Sequence, residues 1–155
     1  MKSHPPEISP LQAHLGYWLR FVSNHVSHAF ARKLNARDVT VAEWVFLREL
    51  YERDAVAPSE LADRLGMTRG AISKLTDRLA DKALVERAAG GGDDRRYQSL
   101  RLTRTGRALV PKLAQLADQN DAEFFGHLTR AERATIEHAM KEIVRRRDLR
   151  NIPVD

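Results

Sequence analysis

Met67-Thr68-Arg69-Gly70-Ala71-Ile72-Ser73-Lys74-Leu75-Thr76-Asp77-Arg78-Leu79 is the stretch whose reading decides the fold. Ile72, Leu75 and Leu79 recur at steps of three and four, so one face of this segment is apolar, while Arg69, Ser73, Lys74 and Arg78 spread over the remainder. That pattern predicts an amphipathic helix with a basic, outward-facing side, and Thr68 is its natural N-cap. A short helix is expected just before it, from Pro58 to Leu65, with proline in the first turn and Gly66 as its C-terminal stop. Only Gly66-Met67-Thr68 joins the two, a connection short enough to force a sharp corner between packed helices. This is helix-turn-helix spacing.

Upstream, Leu15, Trp18, Leu19, Val22, Val26, Phe30 and Leu34 keep helical steps and predict one helix of about 24 residues beginning at Leu11. Its length suggests a partner beyond its own domain. Thr40-Val41-Ala42-Glu43 has the form of a capping box and should open a second helix carrying Trp44, Val45, Leu47, Leu50 and Tyr51. Downstream, Leu84-Val85-Glu86-Arg87 and Ser99-Leu100-Arg101-Leu102-Thr103 alternate around Gly90-Gly91-Gly92, which reads as a hairpin with a glycine tip. Thr103 then caps a helix whose apolar line runs Leu109, Leu113, Leu116, Phe124 and Phe125. Thr129-Arg130-Ala131-Glu132, a second capping box, starts a last helix with Ile136, Met140 and Ile143 on one face. The expected class is therefore mainly α with a small β-hairpin: four helices, the hairpin and two helices.

Composition narrows the function. The chain has 155 residues, enough for one domain with a real core, and a formal charge of +5 from 26 Lys and Arg against 21 Asp and Glu. A basic balance favours an acidic partner. The absence of cysteine excludes disulfides, thiolate metal sites and thiol redox sensing. Neither a signal-peptide core nor an apolar run near the ~20 residues of a membrane span occurs, so a cytoplasmic protein without membrane partners is expected. There is no Gly-rich phosphate loop, metal-ligand cluster or nucleophile motif, which argues against an enzyme and against any cofactor. His25 and His28 lie three apart on a helix but have no acidic residue beside them, and read as surface histidines, with no metal site.

Two motifs in this order resemble the MarR family of bacterial and archaeal transcriptional regulators. The first is the run from Glu60 to Leu75, similar to the family's helix-turn-helix. The second is Asp94-Arg95-Arg96-Tyr97-Gln98-Ser99-Leu100-Arg101-Leu102-Thr103, similar to its Asp-x-Arg wing followed by a strand and a helix cap. The resemblance implies a winged helix-turn-helix in a single domain over 1–155, with a DNA-binding lobe at 40–103 and dimerisation helices at 11–35 and 104–150. Ala57 departs from the pattern: it stands where these proteins often carry a capping Ser or Thr, at a cost of about 1 kcal/mol to that helix.

A sequence-specific regulator of double-stranded DNA, most simply a ligand-responsive repressor acting as a homodimer on a pseudo-palindromic operator, is the implied function. Thr68, Arg69, Ser73 and Lys74 stand at the end of the helix that reaches base edges in such docking. Arg69 is the candidate for a bidentate guanine contact, and Gly70 allows the backbone to approach the duplex. Arg78 belongs to the same surface. The resemblance assigns Arg96 to the minor groove and Asp94 to a supporting ion pair with an arginine such as Arg78. Arg95, Arg101, Arg104 and Arg107 extend an acid-free run toward phosphates. It also implies a cavity for a small aromatic or phenolic acid, for which Trp18, Phe21, His25 and Trp44 are the candidates. The competing reading is a winged protein-interaction module that no longer reads DNA, although such a module need not retain Arg69, Lys74 and Arg96 together.

Overall fold

The computed structural model describes residues 7–89 and 98–150. The expected order holds: α1 (Leu15–Asn35), α2 (Val41–Tyr51), α3 (Pro58–Leu65), α4 (Arg69–Asp81), strands β1 (Val85–Ala89) and β2 (Gln98–Leu102), α5 (Arg104–Phe125) and α6 (Arg130–Arg146). The expected glycine tip, with Asp94, Arg95 and Arg96, lies outside the described residues.

The start of α1 corrects the sequence reading. Leu11–Ala13 form a separate 3-10 turn, and His14 is extended before the α-helix begins at Leu15. The Trp18 indole N–H donates to the Gln12 carbonyl at 2.9 Å and fastens the turn back onto the helix. An apolar row can run through such a break because periodicity reports side-chain spacing and not the backbone hydrogen bonds beneath it.

Four threonines cap helices as the sequence predicts. Thr40, Thr68, Thr103 and Thr129 each accept a backbone N–H three residues on, and Thr40–Glu43 and Thr129–Glu132 form complete capping boxes. Helix α3 is the exception, since Ala57 at its N-cap offers no side-chain acceptor. Ala57→Ser should therefore raise stability by about 0.5 to 1 kcal/mol, read as a higher denaturation midpoint; an unchanged midpoint would mean that Pro58 at the first position already supplies what the cap would add.

The core is built from every element up to α5. Phe46, Leu47 and Leu50 of α2 are fully buried among Leu34, Leu61, Ile72, Leu79, Leu100 and Leu113. The antiparallel hairpin pairs Val85 with Leu102 and Arg87 with Leu100. Val56 adds a one-residue rung on the outer side of β2: its N–H donates to the Leu100 carbonyl at 2.9 Å and its own carbonyl accepts from Leu100 at 2.7 Å. This single bridge occupies part of the free edge of β2 beside α3.

Helix α5 passes through two environments. Its first half buries Gly106, Val110 and Leu113 in the core, and Asn120 is buried further along. Asn120 donates through Nδ2 to the Val26 carbonyl of α1 at 3.2 Å and accepts from Lys33 Nζ at 3.1 Å, and Lys33 also pairs with Glu123 at 2.6 Å. The bond from Lys33 holds the Glu123 carboxyl below the usual carboxylate range. Pro111 lies inside α5 and removes the donor that would have bonded to the Arg107 carbonyl. Helix α6 buries nothing in the protomer: Ile136, Met140, Ile143 and Val144 are all close to half exposed, as are Trp18, Leu19 and Val22 of α1.

Candidate nucleic-acid interface

Helix α4 divides as its sequence dictates. Ile72, Leu75, Thr76 and Leu79 are buried, and Thr76 Oγ1 donates to the Ile72 carbonyl at 2.8 Å, so that its hydroxyl is satisfied inside the helix. On the other side Thr68, Arg69, Gly70, Ser73, Lys74, Asp77 and Arg78 are exposed in one row. A Cβ built on Gly70 would meet only Thr68 Oγ1, at 4.0 Å, so nothing within the protomer requires a glycine there. Among the described residues no acidic side chain engages Arg69 or Lys74. The neighbouring Arg64 differs, being paired with Glu60 at 2.9 Å.

Two ion pairs hold this helix. Glu43, only 1% exposed, has one carboxylate serving the N-terminus of α2 and the C-terminal end of α4 together. Its Oε2 accepts from the Thr40 backbone N–H at 2.9 Å and from Lys82 Nζ at 3.1 Å, and its Oε1 lies 3.9 Å from Arg78 Nε. Lys82 also donates to the Asp38 carbonyl at 2.6 Å, tying the helix end to the α1–α2 corner. A buried carboxylate is tolerated only when paired and hydrogen-bonded in this way. On the exposed side, Arg87 of β1 donates from Nη2 to Asp77 Oδ1 at 2.5 Å. The sequence reading missed both pairs. It saw Glu43 as a cap and took Arg78 as a DNA contact braced by Asp94. Arg78 is exposed at the surface but shares Glu43 with Lys82, and Asp94 lies outside the described residues.

The other basic residues separate into two groups. Arg101 pairs across the hairpin with Glu86 at 2.6 Å. Arg107 lies over the Tyr51 ring at 5.2 Å and donates to the Tyr51 and Arg53 carbonyls at 3.3 and 3.5 Å, closing the C-terminus of α2. Both therefore have work inside the protomer that the acid-free run did not reveal. Arg104, in the first turn of α5, is exposed.

The four candidate effector residues are not gathered into one cavity by the protomer. Phe21 stacks on His25 with ring centroids 4.5 Å apart, and Trp18 meets Phe21 edge-on at 6.4 Å, all on α1. Trp44 instead packs edge-on against Phe30 at 6.3 Å, on the core side. Trp18 faces an apolar groove of about 610 Å³ with Leu19, Val22, Phe125, Ile136 and Met140, whereas His25 lies in a separate cleft of about 400 Å³ with His28, Arg32 and Phe124. Helical spacing placed Trp18, Phe21 and His25 on neighbouring turns but could not say that Trp44 belongs to another layer. Among the described residues no group of three or more potential metal ligands occurs, and no helix is long and apolar enough to cross a membrane.

The sequence model described as the MarR family matches residues 37–96, which spans α2, the helix-turn-helix and the first strand of the hairpin. The multiple antibiotic resistance protein MarR of Escherichia coli K12 is 29% identical over 131 residues, covering 84% of this chain and 90% of that protein. The chain is similar to MarR-family proteins over most of its length. A second relative, a putative transcriptional regulatory protein for the hcr operon of Thauera aromatica, is 28% identical over 132 residues, covering 84% of this chain and 79% of that one. Among solved structures, a cysteine-to-serine variant of E. coli MarR in complex with operator DNA superposes with a TM-score of 0.74 at 28% identity, over 84% of this chain and 93% of that one. The MarR-family fold is thus a winged helix-turn-helix, and its wing is the β1–β2 hairpin.

Proposed function

We propose that this protein is a MarR-family transcriptional regulator that reads double-stranded DNA as a homodimer, with α4 in the major groove and the wing beside it. The exposed row Thr68, Arg69, Gly70, Ser73 and Lys74 carries this reading. It is a polar, cationic surface with an open glycine, on a helix anchored from beneath by buried Glu43. Arg78 and Arg104 flank it. Arg95 and Arg96 would add the contact on the wing side, with Asp94 bracing the wing against a recognition-helix arginine such as Arg78; these three lie outside the described residues. A similar protein, a cysteine-to-serine variant of E. coli MarR, is known in complex with operator DNA, which supports DNA as the partner.

The partner copy follows from α1 and α6. A helix with no buried residue gains little from folding alone, and the apolar faces of α1 and α6 meet in a groove that a second copy would fill. A two-fold dimer then brings two α4 helices to half-sites about one DNA turn apart, so the operator is pseudo-palindromic. The lobe at 40–103 reads, and the segments 11–35 and 104–150 assemble. Repression, with release by a small aromatic or phenolic acid bound at the edge of the assembly surface, is the proposed mode, with α5 connecting that surface to the reading lobe. Trp18 on the groove and Phe21 and His25 beside it supply apolar and imidazole contacts for such an anion. Trp44, behind Phe30, contributes from the core side.

Selection of bound duplexes from a random pool, followed by titration at several salt concentrations, tests the proposal. Tight, steeply salt-dependent binding to a pseudo-palindrome is the expected result. Equal affinity for the scrambled duplex would defeat it. Adding a panel of aromatic acids to the same complex scores the effector. Within the selected operator, Arg69→Ala should cost about 1 to 3 kcal/mol per half-site and relax the preference at one base pair. If the loss were the same for every sequence, Arg69 would be a phosphate contact and the base-reading role would pass to Ser73 or Lys74.

A further inference from the structure

Asp77 is out of place on the surface just described. It stands in the exposed row of α4, one turn beyond Ser73 and Lys74, where a carboxylate would face a polyanion and repel it. Its only close partner among the described residues is Arg87 of the wing strand, at 2.5 Å. Both side chains are substantially exposed, 64% for Asp77 and 39% for Arg87, and an exposed pair of this kind adds little to folding stability. Its effect must therefore be sought in what it does to the surface.

We infer that Asp77 is a specificity-determining residue of the reading surface: by holding the Arg87 guanidinium it keeps that cation off the phosphate backbone and fixes the wing strand to the recognition helix. An unpaired arginine at the base of the wing would bind any duplex, because a phosphate contact carries no sequence information. Neutralised by Asp77, Arg87 adds nothing to indiscriminate binding, and the balance shifts toward contacts made by the N-terminal half of α4. The same bond links β1 to α4, so the two points of contact with DNA move as one body. Other basic residues of the lobe are disposed of differently. Arg101 is paired within the hairpin, Lys82 is held by Glu43, and Arg107 closes α2. Asp77 is the one acid that meets a wing cation from the exposed row of the recognition helix among the described residues.

The inference rests on the DNA-binding reading, and its test is built to fail separately. Affinity for a random-sequence duplex is measured as a function of salt for the wild type, Asp77→Asn, Asp81→Asn, Arg87→Gln and the Asp77→Asn/Arg87→Gln pair. One additional phosphate contact per protomer steepens the slope of log K against log salt by about 0.9, or about 1.8 for a dimer. Asp77→Asn should show that increment and a narrower gap between operator and random duplex. Asp81→Asn, which makes the same charge change at the end of the same helix, should leave the slope where it was. Adding Arg87→Gln should remove the increment. An unchanged slope in Asp77→Asn, or an equal steepening in Asp81→Asn, would overturn the assignment. Elution from immobilised heparin, run in parallel, reads the release of Arg87 without any duplex. If the wild type shows no preference for a selected operator, the sequence-reading function fails while the Arg87 result still stands or falls by this series.

Discussion

Ile136→Asp is expected to turn the protein into a monomer at micromolar concentration and to weaken operator binding by at least about 100-fold. Ile136 lines the groove between α6 and α1 and is close to half exposed in the protomer. In a two-fold assembly each substitution occurs twice, so the interface would have to bury two uncompensated carboxylates, at a cost of several kcal/mol each. A loss of about 2.7 kcal/mol already corresponds to about 100-fold in affinity. Sedimentation checks the assembly and a duplex titration checks the consequence, because a lone protomer engages only one half-site. Helix α2, buried in the protomer's own core, should keep its protection from hydrogen exchange, which separates loss of assembly from unfolding. An Ile136→Asp protein that still sedimented as a dimer would show that the α6 face is not the surface between copies.

Gly106→Ala is expected to destabilise the fold by about 3 kcal/mol, the upper part of the range for forcing a methyl into a packed site. A Cβ at Gly106 would lie 2.0 Å from the Leu84 carbonyl oxygen, a backbone atom that cannot step aside. Leu84 is held on every side: its N–H bonds to Leu79 at the end of α4, its carbonyl accepts from Thr103, and Ala83 before it takes a positive φ of 56° while accepting from Thr103 Oγ1. The extra methyl must therefore separate the exit of the recognition helix from the first turn of α5. For a chain of this size such a loss lowers Tm by roughly 6 to 12 °C. Gly70→Ala is the matched control, because its new methyl enters open space and should add about 0.5 to 1 kcal/mol. Equal melting temperatures for the two variants would mean that α5 can slide at this joint.

These examples also show what a linear reading can reach. Spacing and capping chemistry are local, and local signals located every helix: the four threonine caps, Pro58 at the start of α3 and Gly66 with its φ of 62° at the end. Other helix ends were less visible because Asp38 and Ala83, and not glycine, take the left-handed conformation there. Within the reading helix the buried face of Ile72, Leu75 and Leu79 could be read directly from the sequence. Relations between elements could not. Glu43 and Lys82 are 39 positions apart, and Asp77 and Arg87 are 10 apart across a turn. Nothing in either spacing distinguishes a pair from two solvated charges. One clue was available in the second case, an acid on the exposed face that carries Arg69, Lys74 and Arg78. Trp44 shows the same limit: its helical position is clear, but the layer it packs into depends on Phe30.

Helix α5 is one unbroken element of 22 residues, and at 1.5 Å per residue it is a rod about 33 Å long. One end is embedded beside the recognition helix at Gly106, and the other lies among the residues that meet α1. A tilt of only about 6° at the far end displaces the near end by about 3.4 Å, the rise of a single base pair along the duplex. In the proposed dimer, such leverage would let two reading heads be thrown out of register with a fixed operator by an angular change too small to break any contact in the core. Pro111, with its missing rung, marks where the rod is most easily bent.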